Sequence, residues 1–176
     1  LTLLEAIILM LVQGMITGAV GITFAHELMH QKTKLERFLA DVLMAMAFYG
    51  HFRTEHVFVH HRYVGTKKDA VTARFNESFY TFFIRVIPQC LISAWSVEAQ
   101  KLAAKNKSTL NMSNPFYTYA ALASLFVLLS FIIGGTYGIT LFFVQALVAI
   151  LHLEVVNYIE HYGLSRKKIS ENKYEP

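Results

Sequence analysis

Histidine is the residue type that stands out in this sequence, because six of its eight copies fall in three short clusters. The first cluster is His26-Glu27-Leu28-Met29-His30, the second is Glu55-His56-Val57-Phe58-Val59-His60-His61, and the third is Asn157-Tyr158-Ile159-Glu160-His161-Tyr162-Gly163. Imidazole nitrogen is a ligand that suits Fe, Zn, Cu or Ni, and spacing alone does not choose among these metals. The clusters therefore predict a metal site.

The spacing within the clusters indicates how the side chains are arranged. His26 and His30 are four residues apart, so on an α-helix they lie on one side and can share an ion. His56 and His60 repeat that spacing, whereas an α-helix directs His61 about 100° away from His60. A third histidine aimed elsewhere is awkward for one ion and natural for two, so the pattern favours a dinuclear site.

The two remaining histidines are interpreted differently. His51 lies just before the second cluster, and we expect it to form a hydrogen bond near the metal rather than bind it. His152 lies inside an apolar segment, where a lone histidine commonly forms a hydrogen bond with a neighbouring helix. The single cysteine, Cys90, excludes a disulfide framework and a cluster of thiolate ligands.

The first cluster also matches the His-Glu-x-x-His pattern of zinc proteases, in which the glutamate is the general base. An intramembrane metalloprotease is therefore one alternative, although it needs only one further ligand and the second cluster supplies three histidines. A metal transporter is a non-enzymatic alternative, but its ligands are expected near the middle of the bilayer. A dinuclear iron site that activates O₂ is the hypothesis that uses all the clustered histidines.

The elements that must position these clusters are membrane helices. The chain has 176 residues, 55% hydrophobic and 16% charged, which indicates one domain and excludes a disordered chain, a coiled coil and a nucleic-acid-binding tail. Residues 1–25 form a helix of about 37 Å, long enough to cross a bilayer. Residues 108–153 contain no Asp, Glu, Lys or Arg and would extend about 69 Å as one helix, which is two crossings. The turn at Gly134–Gly138 therefore predicts a hairpin with spans at 115–133 and 137–159.

The rest of the chain, residues 26–107 and 160–176, is predicted to lie in the cytoplasm or at the membrane interface. The apolar run within 35–52 is short, which favours a buried or re-entrant segment. Residues 75–95 have the spacing of an amphipathic interfacial helix with a kink near Pro88. The predicted fold is an all-α integral-membrane helical bundle, a single catalytic domain in which three transmembrane helices and interfacial helices carry a histidine-rich metal site.

The basic residues predict how this bundle is oriented. All sixteen Lys and Arg lie within 32–107 or 166–173, so by the positive-inside rule both segments face the cytoplasm. Topology and lipid headgroups account for the net charge of +4. The first two clusters are joined by a segment too short to cross twice, and the hairpin returns His161 to the same side. We therefore expect all three clusters to meet at one membrane surface.

The three clusters resemble signature sequences of the integral-membrane alkane monooxygenases, non-haem di-iron enzymes of the membrane fatty-acid desaturase and hydroxylase superfamily. The third cluster is the most specific, because desaturases and related hydroxylases lack it. The segments Val64–Asp69 and Ala73–Phe75 also resemble the sequence that follows the family's second cluster. The similarity covers essentially the whole chain.

This resemblance implies a function and a set of ligands. Members of the family hydroxylate the terminal methyl group of alkanes at two iron ions on the cytoplasmic face of the bacterial inner membrane, with electrons from NADH through rubredoxin reductase and rubredoxin. By resemblance, the iron ligands would be His26, His30, His56, His60, His61 and His161. The residues that would orient these ligands are the adjoining Glu27, Glu55 and Glu160 and, on the helix face of His161, Glu154 and Asn157.

The sequence also departs from the family pattern. Gln31 follows the first cluster where the family usually has Lys, and Phe58-Val59 replace the usual Arg-Gly in the second. These differences bear on the substrate, so a xylene-monooxygenase-like or desaturase-like di-iron oxidase stays open as an alternative. The family's last cluster of three histidines is absent, and the chain starts at Leu1 within an apolar run. We therefore expect a fragment that binds iron incompletely and is inactive by itself.

Overall fold

The computed structural model describes residues 2–170 and 173–175. Its helical elements are α1 (Leu3–Ile16), a first π-helical segment (Thr17–Ile22), α2 (Thr23–Met29), α3 (Lys34–Met46), α4 (Phe52–Glu55), a second π-helical segment (His56–His60), α5 (His61–Tyr63), α6 (Phe79–Ala103) and α7 (Phe116–His161). Two short antiparallel strands follow, β1 (Lys168–Ser170) and β2 (Lys173–Tyr174). The predicted helical membrane bundle is confirmed, and this strand pair is where the described residues depart from an all-α chain.

The first membrane helix is a continuous rod made of α1, the first π-helical segment and α2. Its start is capped by Thr2, whose hydroxyl accepts a hydrogen bond from the Glu5 N–H while the Glu5 carboxylate accepts one from the Thr2 N–H. The rod, Leu3–Met29, is long and apolar enough to cross a membrane. It covers the span predicted at residues 1–25, except that Leu1 lies outside the described residues. The first histidine cluster is at the far end of this rod.

Helix α7 reverses direction at Gly135, where φ is 58° and ψ is −146°. A Cβ at Gly138 would overlap the carbonyl oxygen of Ser130, eight residues earlier. A continuous helix would separate these positions by about 12 Å, so the chain must fold back between them. The predicted hairpin is thus present, with a first arm at residues 116–134 and a second arm at residues 136–161, each at least about 28 Å long.

Helix α6 is the third described helix that is long and apolar enough to cross, beside the first rod and α7. The Ser78 hydroxyl caps its start by accepting a hydrogen bond from the Thr81 N–H, and the helix continues through Pro88. The sequence pattern predicts an interfacial helix here, although a length of about 37 Å would suffice for a crossing. Both ends of α6 contact the end of the bundle that carries the histidine clusters, since Phe79 packs on Tyr158 and Glu98 accepts a hydrogen bond from Thr54. Helix α3, at about 20 Å, is too short to cross, as expected for the short run within 35–52.

The first rod, α3 and the second arm of α7 pack into one core. Its buried members are Ile22, Ala25, Met29, Ala40, Met44, Ala47, Tyr49, Phe52 and Ala149. The guanidinium of Arg53, in α4, donates to both carboxylate oxygens of Asp41 in α3, which fixes the segment that leads into the second cluster. A second core joins the loop at residues 70–73 to α6. These contacts bring the ends of the rod, α4 and the second arm together.

Candidate metal centre

The first histidine cluster lies at the end of the first rod. His26 is in α2 and His30 caps its C-terminus, and their ring centroids are 4.8 Å apart. The two imidazoles therefore lie on one side of the helix, as their spacing predicts.

Two glycines set the distance between the first rod and the second arm. A Cβ at Gly14 would lie 2.6 Å from the Cβ of Val148, and a Cβ at Gly18 would lie 2.9 Å from the Cβ of His152. Small residues four apart let two membrane helices approach closely. The glycines thereby control how near the first cluster comes to His161 at the end of the second arm.

The second cluster is not α-helical. Residues His56–His60 form a π-helical turn, and the N–H of His61 donates to the carbonyl oxygen of His56, five residues earlier. A π-turn holds one residue more than an α-turn, so residue i+5 takes the place of residue i+4. His61 Nε2 consequently lies 2.9 Å from His56 Nε2. This corrects the sequence analysis, which pairs His56 with His60 and directs His61 elsewhere.

Four imidazoles converge where the first two clusters meet. One nitrogen each of His26, His30, His56 and His61 lies within 4.8 Å of the others. Ligands on opposite sides of one ion are about 4.2 Å apart when each metal–nitrogen bond is about 2.1 Å. Small side-chain rotations would therefore bring all four nitrogens to a single transition-metal ion, which this donor set fits. These four residues are called the four-histidine group below.

The surroundings favour the neutral form of three of these imidazoles, those of His30, His56 and His61. Burial, followed by the neighbouring His60, His26, His61 and His30, lowers the pKa of His56 to about 2. Partial burial also lowers the pKa of His30 and of His61, and a neighbouring histidine is the next cause for each. A neutral imidazole has the free lone pair with which it binds a metal.

His60 and His161 form a second pair beside the four-histidine group. Their ring centroids are 4.6 Å apart, and the His60 ring stacks on that of His56 at 5.2 Å. His161 Nδ1 lies 2.8 Å from the backbone oxygen of Asn157, and a carbonyl oxygen only accepts. Nδ1 therefore donates and Nε2 keeps its lone pair. The three clusters meet in space, as their topology predicts.

The acidic residues predicted to orient these ligands have different surroundings. Glu27 lies 3.5 Å from His26 Nδ1, but its side chain is 72% exposed, and Glu160 is also exposed. Glu154 is buried and accepts hydrogen bonds from the Tyr49 hydroxyl at 3.2 Å and from Asn157 Nδ2 at 3.1 Å. Glu154 is therefore linked to the second pair through Asn157, because Glu154 binds the side chain of Asn157 and the backbone carbonyl of Asn157 binds His161.

Glu55 is a predicted orienting residue that is as deeply buried as Glu154. Its side chain is fully buried, and neither carboxylate oxygen has a hydrogen-bond partner among the described residues. Burial raises the pKa of Glu55, and the nearby carboxylates of Asp69 and Glu154 raise it further. The structure thus places Glu55 beside the cluster without a hydrogen bond to any described histidine.

Asp69 is a residue at the site that the sequence analysis does not single out. Its carboxylate lies 3.0 Å from His60 Nδ1, and its side chain is fully buried. The sequence feature that could have pointed to Asp69 is its position at the end of Val64–Asp69, a segment that carries the family resemblance. Spacing alone does not show that this loop folds back onto His60.

The two unclustered histidines also lie near the site. His51 contacts the ring of Tyr49 at 4.5 Å, and burial lowers its pKa to about 4. Its Nε2 is buried without a partner in the part of the chain that the structure describes. His152 faces Gly18 and lines the cavity beside the metal centre. The expected hydrogen bond of either ring is not found within residues 2–170 and 173–175.

A cavity of about 380 Å³ opens onto both sets of imidazoles. Part of its wall is polar and carries His26, His56, His60, His61, His152 and His161. Another part is apolar and includes Ile22, Phe52, Leu153 and Val156. An apolar compartment beside metal ligands suits a substrate that has few polar groups.

Comparison with known proteins places this arrangement in a family. The sequence matches the model of the fatty acid desaturase family over residues 3–176. Alkane 1-monooxygenase 1 of Pseudomonas aeruginosa is 39% identical over 167 residues, which cover 92% of this chain and 42% of that protein. Alkane 1-monooxygenase 2 of the same organism is 36% identical over 162 residues, covering 92% of this chain and 43% of that protein.

A further relative is the hydroxylase component of the xylene/toluene monooxygenase of Pseudomonas putida. It is 34% identical over 154 residues, which cover 86% of this chain and 41% of that protein. The chain spans less than half of the length of each of these relatives. The family match includes all three histidine clusters and every helix described above. This chain is a membrane protein that belongs to the fatty acid desaturase family.

Proposed function

We propose that the full protein is a di-iron membrane monooxygenase that hydroxylates the terminal methyl group of alkanes with O₂ and external electrons. The observation that carries this proposal is the convergence of imidazoles from three distant segments beside an apolar cavity. The four-histidine group would hold one iron, and His60 and His161 would contribute to the second. The similarity to two proteins named alkane 1-monooxygenase supports the substrate class.

Bound iron would supply the O₂ activation that breaking an unactivated C–H bond requires. The protein's own residues would bind, orient and select. Asp69 and the carbonyl of Asn157 hold the rings of His60 and His161 by their Nδ1 atoms. Apolar cavity residues such as Leu153 and Val156 would bury the alkane, which gains about 0.8 kcal/mol per CH₂. Selection must depend on this burial, because an alkane has no polar group to recognise.

Two alternatives of another class are less compatible with the geometry. A zinc protease uses three protein ligands and a general base near the metal. Here four imidazoles meet, and the Glu27 side chain is 72% exposed. A metal transporter is disfavoured because the ligands lie at the end of the first rod rather than midway along it.

Oxidation of an aromatic methyl group is the second candidate function. It is supported by the similarity to the hydroxylase component of xylene/toluene monooxygenase. A desaturase-like oxidation would use the same metal centre, and the family match supports it. The products formed from different hydrocarbons distinguish these reactions.

We also propose the side of the membrane and the source of electrons. The metal site would face the cytoplasm of a bacterial inner membrane, because the basic residues lie in the segments that flank it. Electrons would pass from NADH through rubredoxin reductase to rubredoxin, an acidic carrier that a basic surface would attract. The rate of reduction should then fall as salt concentration rises, and a salt-independent rate would count against this docking.

The test combines metal and product analysis of the full natural gene product, purified in detergent and supplied with its electron carriers. Two irons per chain and 1-octanol from octane would support the proposal. Benzylic alcohol from xylene without any alkanol would move the substrate to aromatic methyl groups. One zinc with peptide cleavage, or metal transport into vesicles without oxidation, would overturn it.

A matched pair of variants ties the metal to this cluster. His61→Asn should lower the iron content by about one ion per chain, because His61 belongs to the four-histidine group. Arg62→Gln changes the exposed neighbouring residue and should keep the full iron content. Equal iron content in both variants would show that the metal is not bound by this cluster.

A further inference from the structure

A buried carboxylate outside the predicted set contacts a proposed iron ligand directly. Asp69 lies in the loop between α5 and α6, and its Oδ2 is 3.0 Å from His60 Nδ1. We propose that Asp69, held by Thr72, is a positioning residue that fixes the tautomer and ring direction of His60 in the metal centre. This inference rests on the proposed function, because it takes His60 as a metal ligand.

Hydrogen bonds around Asp69 determine which nitrogen of His60 carries the hydrogen. The Val71 N–H donates to Oδ1 at 3.1 Å, and the Thr72 hydroxyl donates to Oδ2 at 2.6 Å. The Thr72 oxygen itself accepts from the Gly65 N–H at 2.9 Å, so its hydroxyl hydrogen is directed to Asp69. An ionised carboxylate only accepts, so His60 Nδ1 must be the donor. Nε2 then keeps the lone pair that a metal requires.

The loop is anchored so that Asp69 has little freedom to move. Gly65 adopts a φ of 75°, which an L side chain rarely tolerates, and this turn directs its N–H to Thr72. Arg85, in α6, donates to the backbone oxygen of Ala70 at 2.9 Å and to that of Thr72 at 3.3 Å. Residue 71 between them is buried in the second core. The carboxylate is therefore held in place from both sides of the loop.

A metal-bound imidazole is held in place by the partner of its other nitrogen, and removing that partner commonly lowers metal affinity or activity by about 10–100-fold. The same arrangement is found at His161, whose Nδ1 is bound by the Asn157 carbonyl. Both members of the second pair are thus oriented through Nδ1, one by a side chain and one by the backbone. Only the bond to His60 can be removed by mutation, which makes Asp69 the informative position.

The test is a cobalt(II) titration of the metal-free full gene product in detergent, followed by visible absorption. Asp69→Ala should weaken one cobalt-binding equivalent by about 10–100-fold and change its spectrum, while the other equivalent keeps its affinity. Thr72→Val should weaken the same equivalent, and Thr72→Ser, which keeps the hydroxyl, should restore it. Glu98→Gln is the matched control, because this buried carboxylate in α6 binds Lys101 and Thr54 rather than a histidine or the loop that carries Asp69. It should lower thermal stability and leave cobalt binding unchanged.

Unchanged affinities and spectra in Asp69→Ala would overturn the proposal, as would equal cobalt binding in Thr72→Val and Thr72→Ser. If Asp69→Ala does not fold, the Thr72 pair decides by the same criterion. The readout does not depend on hydrocarbon oxidation. A wild-type protein that oxidises no hydrocarbon, combined with weakened cobalt binding in the variants, would reject the proposed function and keep the positioning role. Alkane hydroxylation by the wild type, combined with unchanged cobalt binding in the variants, would keep the proposed function and reject the positioning role.

Discussion

Close packing of the first rod on the second arm of α7 depends on two glycines, and enlarging them tests whether this packing supports the metal centre. A Cβ at Gly14 would lie 2.6 Å from the Val148 Cβ and 2.7 Å from the Gln145 carbonyl oxygen. A Cβ at Gly18 would lie 2.9 Å from the His152 Cβ. Ordinary contacts between carbon atoms are about 3.5–4.0 Å long. Gly14→Ala therefore requires the helices to part by about 1 Å, and Gly18→Ala requires slightly less.

Gly21 offers a matched control in the same rod. A Cβ there would meet only Thr17 Cγ2, at an ordinary 3.7 Å. Replacing glycine by alanine favours a helix by about 1 kcal/mol in every variant, so this gain cancels between them. Overpacking costs about 1–3 kcal/mol. We therefore expect Gly14→Ala to be less stable than Gly21→Ala by that amount, which is about 2–12 °C in Tm for a chain of this size.

The assay is thermal unfolding in detergent, followed by far-UV circular dichroism, together with metal content and turnover. The order of stability should be Gly21→Ala, then Gly18→Ala, then Gly14→Ala. A catalytic group displaced by about 1 Å can cost about 100-fold in rate, so Gly18→Ala should also lower turnover. Equal melting temperatures and equal metal content for Gly14→Ala and Gly21→Ala would refute the role assigned to these glycines.

Three further predictions concern the metal and the loop beside it. Removing the metal with a chelator should lower Tm, because an ion that binds only the folded protein stabilises it; identical calorimetric transitions would contradict this. His60→Asn and His61→Asn should leave different cobalt spectra, because His61 belongs to the four-histidine group and His60 to the second pair; identical spectra would contradict the π-turn assignment. Arg85→Lys should lower the free energy of unfolding by about 1–3 kcal/mol, because one ammonium cannot replace a guanidinium that binds Glu77 twice and also the Ala70 carbonyl. An unchanged denaturant midpoint for this variant would contradict that account.

Features of the fold that depend on local sequence could be predicted. The apolar run at 108–153 is longer than one bilayer crossing, so it had to be interrupted, and glycines at 134, 135 and 138 mark where. The observed reversal uses Gly135 at a φ of 58°, a value that glycine adopts readily. The meeting of the histidine clusters followed from topology, because both connections between them return to the same side.

Features that depend on tertiary packing could not be predicted. Asp69 reaches His60 only because the loop at 65–72 is anchored by Arg85, and no periodicity in the loop indicates that contact. α-Helical spacing predicts His60 as the partner of His56, whereas the π-turn brings His61 beside it. Helix α6 is intermediate in composition, so its sequence suits the interface and its length suits a crossing.

The two π-helical segments serve the same geometric purpose at the first two clusters. Gly14 contacts the second arm, and His26, twelve residues later, lines the cavity that this arm shares. A continuous α-helix turns about 100° per residue and would place His26 about 120° around the rod from Gly14. One extra residue taken up in the segment Thr17–Ile22 reduces this angle to about 20°. At the second cluster the same insertion moves His61 from about 140° to about 40° from His56. Each extra residue thus turns a ligand onto the side where its helix packs, which α-helical spacing alone would leave facing away.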